Sequence, residues 1–100
     1  MSQHCYGTVM VCLISYDLNV DNNNNQQVRD AICRLGAFTQ CLESSWLVDT
    51  HMTCADVHEA IVQVLGPGDR FFVCPVKRSE CVGRTLSSFQ VWQWLSEHPE

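Results

Sequence analysis

One apolar run that ends in a single acid constrains this chain more than any other feature. Residues 8–16 (TVMVCLISY) are almost all apolar, several are β-branched, and Asp17 follows directly. Such a run, bounded by Gly7 and by a polar stretch, is typical of a strand that is buried on both faces. The sequence therefore predicts a sheet with residues 8–16 in its interior and Asp17 at the carboxyl end of that strand.

Two segments after this strand have helical spacing. Residues 19–27 hold five asparagines and two glutamines, a solvated and turn-forming composition that predicts a mobile loop. Apolar residues at i, i+3, i+4 and i+7 over residues 28–35 then predict an amphipathic helix. Thr53 with Asp56 three residues later resembles a capping box and predicts the start of a second helix, which the Gly-Pro-Gly of residues 66–68 ends.

Three further segments have the composition of strands. Residues 38–43 and 45–49 are rich in aromatic and β-branched side chains around a polar turn, which favours a hairpin. Residues 70–76 (RFFVCPV) predict a last strand. Pro75 places that strand at an edge of the sheet, because a proline nitrogen cannot donate to a neighbouring strand.

A terminal helix over residues 87–98 follows from Ser87, which with Gln90 three residues on predicts an N-cap. The order is then βαββαβ plus a terminal helix, the pattern of an α+β, ferredoxin-like fold. We expect an antiparallel sheet with two helices on one face. A chain of 100 residues predicts a single domain over residues 1–100, with its core at about residues 8–80.

Composition limits the setting in which such a domain works. The seven cysteines are odd in number and several, such as Cys12, Cys33 and Cys74, lie in apolar patterns, which favours free packing thiols and the reducing cytoplasm. No cysteine pair has the close spacing of a structural zinc site. No apolar run approaches the roughly 20 residues of a membrane span, and residues 1–7 do not resemble an export signal. A formal net charge of −5 argues against a protein that coats nucleic acid.

Asp17 is the candidate for chemistry, because it ends the central strand and is followed at alternate positions by Asn19 and Asp21. One or two carboxylates together with phosphate oxygens suffice to hold Mg²⁺, so a phosphodiester-cleaving metal site is one interpretation. The other is that Asp17 ends the strand and accepts hydrogen bonds from turn amides. Four hydroxyl residues are expected near it if the strand ends meet: Ser15, Tyr16, Ser44 and Ser45.

Four short motifs lie at residues 14–18, 28–37, 42–48 and 69–76. They are the strand ending in Tyr-Asp, the first helix with its glycine, a serine before an aromatic strand, and the fourth strand. Together they resemble a known superfamily. It comprises the small CRISPR-associated proteins that form the dimeric hub of the spacer-integration complex, the virulence-associated protein D toxins, and stand-alone bacterial and phage proteins often labelled SinR family.

The resemblance implies a homodimer in which the last strand or the C-terminal segment crosses to the neighbour. It also implies that Asp17 lies near its copy and that the pair holds a divalent metal, Mg²⁺, for cleavage of RNA or DNA. By the same resemblance Asp17 is the metal ligand and a catalytic residue, and Ser45 is a catalytic helper. The segment after Asp17 lacks the basic residues common in the CRISPR-linked proteins, which favours a freestanding role.

Two hypotheses of different classes follow. The first is a metal-dependent nuclease or phosphodiesterase that works as a homodimer on RNA or DNA. The second is a non-catalytic dimeric module, such as a regulator or a phage-encoded inhibitor in a defence system, which binds another protein through its surface and terminal helix. A small nucleotide held at the seam of the dimer is a third possibility.

Overall fold

The computed structural model describes residues 10–98, so Thr8 and Val9 of the first predicted strand, and the thiol of Cys5, lie outside the described residues. Four strands and three helices follow one another in the described part. They are β1 (Met10–Asp17), α1 (Asn25–Cys33), β2 (Ala37–Leu42), β3 (Ser45–Thr50), α2 (Cys54–Val62), β4 (Arg70–Pro75) and α3 (Ser88–Glu97). Short 3₁₀ turns cover Val20–Asn22 and Arg78–Glu80.

The four strands form one antiparallel sheet in the order β2-β3-β1-β4. This arrangement confirms the predicted α+β, ferredoxin-like fold, with β1 inside the sheet and β4, which contains Pro75, at an edge. Ser15 of β1 is opposite Ser45 of β3, and Asp17 is opposite Arg70 of β4. The carboxyl end of β1 therefore lies between the first residues of two neighbouring strands.

One face of the sheet carries the larger part of the core. Cys12, Ile14 and Tyr16 alternate along β1 and point toward α1 and α2, which contribute fully buried residues such as Ile32 and Ile61. Burial raises the pKa of the Cys12 thiol to about 12, with Cys54 and Cys74 adding to the effect. Cys12 is therefore a packing residue, since a thiol this hard to ionise is a poor nucleophile at neutral pH.

The terminal helix covers part of the opposite face. Val91 and Leu95 of α3 are buried against Val11, Cys41 and Leu47 of the sheet. At the end of the helix, His98 Nδ1 lies 2.6 Å from Asp49 Oδ2, and Trp94 stacks on the imidazole at 4.1 Å between ring centroids. The C-terminal segment thus packs on its own sheet. Because α3 takes this position, β1 has apolar neighbours on both faces, as its sequence predicts.

Two local predictions need correction. The asparagine-rich segment over residues 19–27 does not form the expected mobile loop, because it folds into the Val20–Asn22 turn and the first residues of α1. The hydroxyl of Ser87 makes no capping hydrogen bond, although its carbonyl accepts one from Val91 N at 2.9 Å. The hydroxyl of Thr53 does cap α2 as predicted, since it accepts from Asp56 N at 3.1 Å.

Among residues 10–98, no helix is both long enough and apolar enough to cross a membrane.

Candidate functional site

The backbone around Asp17 is held in place while its side chain is exposed. Tyr16 N donates to Ser44 O at 3.0 Å, which fixes the turn between β2 and β3 beside the end of β1. On the core face, the indole of Trp46 donates to the Tyr16 hydroxyl at 3.2 Å. The next residue along β1, Asp17, points away from this core and into solvent.

The carboxylate of Asp17 has no hydrogen-bond or ion-pair partner in the described part of the chain. This observation overturns the interpretation in which Asp17 accepts hydrogen bonds from turn amides. Arg70 lies opposite Asp17 in the sheet, yet the two side chains do not form an ion pair. Asp17 therefore keeps both carboxylate oxygens available for a ligand.

The acid that accepts the turn amides is Asp69, which no sequence pattern singles out as a site residue. Its Oδ1 accepts from Asn19 N at 2.7 Å and from Asn22 Nδ2 at 2.9 Å. Its Oδ2 accepts from Gly66 N at 2.7 Å and from Asn24 Nδ2 at 2.8 Å. These hydrogen bonds, the one from Gly66 N foremost, lower the pKa of Asp69 to about 2.

The consequence is that the segment after Asp17 is tied to the turn before β4. Asn19 also caps the 3₁₀ turn by accepting from Asp21 N at 3.1 Å, so its side chain has a structural role. Two sequence features take part in this contact: the asparagines that follow β1, and Asp69, which directly follows the Gly-Pro-Gly turn of residues 66–68. Nothing in either segment alone indicates that they meet.

An open cleft of about 360 Å³ lies between Asp17 and this ordered segment. Its polar wall is made of side chains with oxygen and amide groups, among them Asp17, Asn19, Asn23, Asn24, Asn25 and Ser44. Within residues 10–98, Asn24 Oδ1 is buried and accepts no hydrogen bond. Since buried carbonyl oxygens nearly always have a donor, this atom is an unsatisfied acceptor, and it is closed to solvent.

A second concavity of about 310 Å³ lies on the other side of Asp17, between β1 and β4. Ser15, Asp17, Arg70 and Phe72 are among its lining residues. Phe72 is 63% exposed, so much of its side chain is accessible to a ligand. Asp17 therefore separates a polar cleft from a concavity with an aromatic wall and a guanidinium.

Ser45, the predicted catalytic helper, is a buried residue next to Ser15. Its hydroxyl is 2.9 Å from that of Ser15, and either oxygen can donate. Ser15 lines the concavity beside Asp17, whereas Ser45 lines neither of the two. The structure thus brings the two serine hydroxyls together, and any action of Ser45 at Asp17 passes through Ser15.

Of the acids within residues 10–98, Asp17 is the one that lines these two concavities. In the described ranges, no group of three or more His, Cys, Asp or Glu residues is placed to hold a metal ion. The donors that do line the polar cleft are a carboxylate and amide carbonyls, which are hard oxygen ligands. They are suited to Mg²⁺ and poorly suited to softer metals.

Comparison with protein-family models, with curated proteins and with solved structures finds no match for this chain. The superfamily suggested by the four sequence motifs therefore stays a prediction.

Proposed function

We propose that this protein is a metal-dependent phosphodiesterase that cleaves RNA or DNA as a homodimer, with Asp17 of each subunit in the site. The observation that supports this most directly is the carboxylate of Asp17. It is exposed at the end of the central strand, has no partner within residues 10–98, and lies between two concavities. A surface aspartate that only ended a strand would be expected to bond the turn that follows it.

The donor set of the polar cleft fits Mg²⁺. Asp17 would hold the metal, and the exposed side chains of Asn23 and Asn25 line the same cleft. A bound Mg²⁺ would supply two kinds of chemistry there, since it lowers the pKa of a bound water and stabilises the negative charge that develops on a phosphate. Mg²⁺ sites commonly use one or two carboxylates with substrate phosphates completing the ligands, so one Asp17 from each subunit is enough.

The remaining side chains position the substrate and the water. Asp69 keeps the asparagine segment in one place, so the wall of the cleft is formed before a ligand arrives. Ser45 is a positioning residue in this proposal, because its hydroxyl orients that of Ser15, which lines the concavity beside Asp17. Preorganised groups of this kind stabilise a transition state without further rearrangement.

We place the protein in the cytoplasm. The cysteines in the described part of the chain are free thiols, and Cys12 and Cys41 are buried in apolar surroundings. Buried free thiols of this kind persist most readily in a reducing compartment.

Cleavage of labelled single-stranded and double-stranded RNA and DNA tests the proposal, with Mg²⁺ or Mn²⁺ and with a chelator. We expect cleavage by the wild type that requires the metal. Asp17→Asn keeps the size of the side chain and removes the ligand charge. It should lower the rate by at least about 100-fold, because even groups that only orient a metal ligand are worth 10- to 100-fold.

Asp21→Asn is the matched control. Asp21 is an exposed acid in the same segment and lines neither concavity, so this variant makes the same change in net charge away from the site. It should cleave like the wild type. Equal rates for Asp17→Asn and the wild type, or cleavage unaffected by the chelator, would contradict the proposal.

A second candidate function is favoured by a different observation. Val82, Leu86 and Phe89 are 92%, 60% and 77% exposed, and all three belong to α3 or to the segment before it. Where such side chains form a contiguous exposed patch, they often mark a surface that binds another protein. In this alternative the protein is a non-catalytic interaction module, and its partner binding would survive Asp17→Asn.

A further inference from the structure

We infer that Phe72 and Arg70 form a subsite for an unpaired nucleotide, in which the base stacks on the Phe72 ring and the phosphate contacts Arg70. The inference rests on the proposed function, because it specifies the class of substrate that reaches Asp17: a single-stranded nucleic acid. Both side chains line the concavity next to Asp17.

The ring of Phe72 is exposed because of the way the sheet is covered. α3 packs against β2 and buries Val11 and Leu47 of the strands beside it, whereas the main contacts of β4 within residues 10–98 are with β1 and α2. The neighbouring Phe71 points to the other face, where it packs against the core and stacks on His58 at 5.0 Å. Among the described side chains, Phe72 has no aromatic partner, so both its position and its free face suit a planar ligand.

Arg70 supplies the charge that a bare apolar ring lacks. It is exposed and, within residues 10–98, its guanidinium makes no ion pair or side-chain hydrogen bond. Arg70 and Phe72 are two positions apart on one strand, so they face the same side about 7 Å from each other. This separation corresponds to the reach from a base to the phosphate of the same nucleotide. A guanidinium is well matched to a phosphate, because it can donate two parallel hydrogen bonds.

The position of this pair relative to Asp17 indicates the path of the strand. Arg70 is directly opposite Asp17 in the sheet, and Phe72 is directly opposite Ser15. A nucleotide seated on Phe72 and Arg70 would thus bring an adjoining phosphate toward the Asp17 carboxylate. In a duplex both faces of each base are covered by neighbouring base pairs, so the subsite selects single strands, as aromatic platforms on open sheets do in general.

Fluorescence anisotropy with short fluorescein-labelled DNA and RNA tests the subsite, with a chelator present so that no cleavage occurs. Phe72→Leu keeps an apolar side chain and removes the π face. We expect it to weaken single-strand binding by about 10-fold, within the range measured for loss of one stacked base. Arg70→Gln should weaken binding and reduce its dependence on salt, because one phosphate contact is lost. Duplexes should bind the wild type more weakly than single strands do.

Phe89→Leu is the matched control, because it makes the same substitution at an exposed phenylalanine on α3 that lines neither concavity beside Asp17. It should bind single strands like the wild type. Equal binding by Phe72→Leu and Phe89→Leu would overturn the inference, as would equal affinity of the wild type for duplex and single strand. Sedimentation velocity gives a third test, since a change of oligomeric state in Phe72→Leu would place the ring in a contact between copies of the chain.

The two proposals fail in different ways. If no condition yields cleavage but Phe72→Leu still weakens single-strand binding, the nucleotide subsite stands and the phosphodiesterase does not. If cleavage requires Asp17 but Phe72→Leu binds like the wild type, the phosphodiesterase stands and the subsite does not.

Discussion

At the scale of single residues, two aspartates in similar sequence positions have different roles: Asp69 accepts structural hydrogen bonds, and in the described part of the chain Asp17 does not. Asp17 ends β1 and Asp69 comes directly before β4, so each lies at a boundary between a strand and a turn. Asp69 accepts four hydrogen bonds from the loop and the turn. Because these donors bond to Asp69, the Asp17 carboxylate has no structural partner within residues 10–98 and can bind a ligand.

The same hydrogen bonds predict how stability depends on pH. The pKa of Asp69 is lowered from 3.8 to about 2 in the folded protein, so folding favours its charged form. Its contribution to stability is therefore fully present above about pH 4 and is lost as the pH falls from about 4 to about 2. Asp69→Asn presents an amide N–H₂ to donors, so it should be less stable at neutral pH and lack this part of the acid dependence. Urea unfolding at a series of pH values measures both effects.

Asp21→Asn serves again as the control, since its side chain is exposed in the same segment. It should keep the acid dependence of the wild type. If Asp69→Asn loses stability between about pH 4 and pH 2 as steeply as the wild type does, the hydrogen bonds to Asp69 do not stabilise the fold.

At the scale of elements, the two caps that the sequence predicts provide a matched comparison. Thr53 Oγ1 accepts from Asp56 N at the start of α2, whereas the Ser87 hydroxyl makes no such bond at the start of α3. Thr53→Ala should therefore lower the free energy of unfolding by about 1 kcal/mol. Ser87→Ala should lower it by less than about 0.5 kcal/mol, because no capping bond is lost. Thermal or urea unfolding of the two variants, side by side, decides whether both serve as caps.

The elements that the sequence predicted are those whose signals are local. The apolar run of β1, the helical stripe of α1 and the proline in β4 each fix their element within a few residues. The prediction of a mobile loop for the asparagine segment was wrong because the order of that segment depends on Asp69, which lies 45 to 50 residues away in the chain. A pattern within one segment carries no information about such a distant acceptor.

The same difference between local and long-range signals applies to the residues of the candidate site. Asp17 could be found from sequence, because an acid at the end of an interior strand is a local feature. Phe72 could not be found, because residues 70–76 are apolar almost throughout. Which of its two phenylalanines is exposed depends on packing across the sheet: Phe71 packs against the helical core, whereas within residues 10–98 the main contacts of α3 are with β2. The exposed ring is thus a property of how the elements pack.

At the scale of the whole molecule, the arrangement of α3 determines which end of the sheet remains open. Because α3 lies on its own chain's sheet, the end that holds Asp17 and Arg70 is uncovered by the rest of the described chain. Among the described residues of each chain, Asp17 is the one acid that lines these two concavities, and the proposed metal site needs a second copy of it. A closed, two-fold dimer is the simplest assembly that brings two identical side chains together.

Mixing of subunits tests this requirement. Wild type and Asp17→Asn, diluted together to allow exchange and then concentrated in equal amounts, should form mixed dimers that have one carboxylate. Half of the wild-type chains then lie in mixed dimers, so activity per wild-type chain should fall to about half if both carboxylates are needed. Asp21→Asn in place of Asp17→Asn should leave that activity unchanged. Activity per wild-type chain that does not fall on mixing with Asp17→Asn would mean that each subunit acts alone, and that one Asp17 is sufficient.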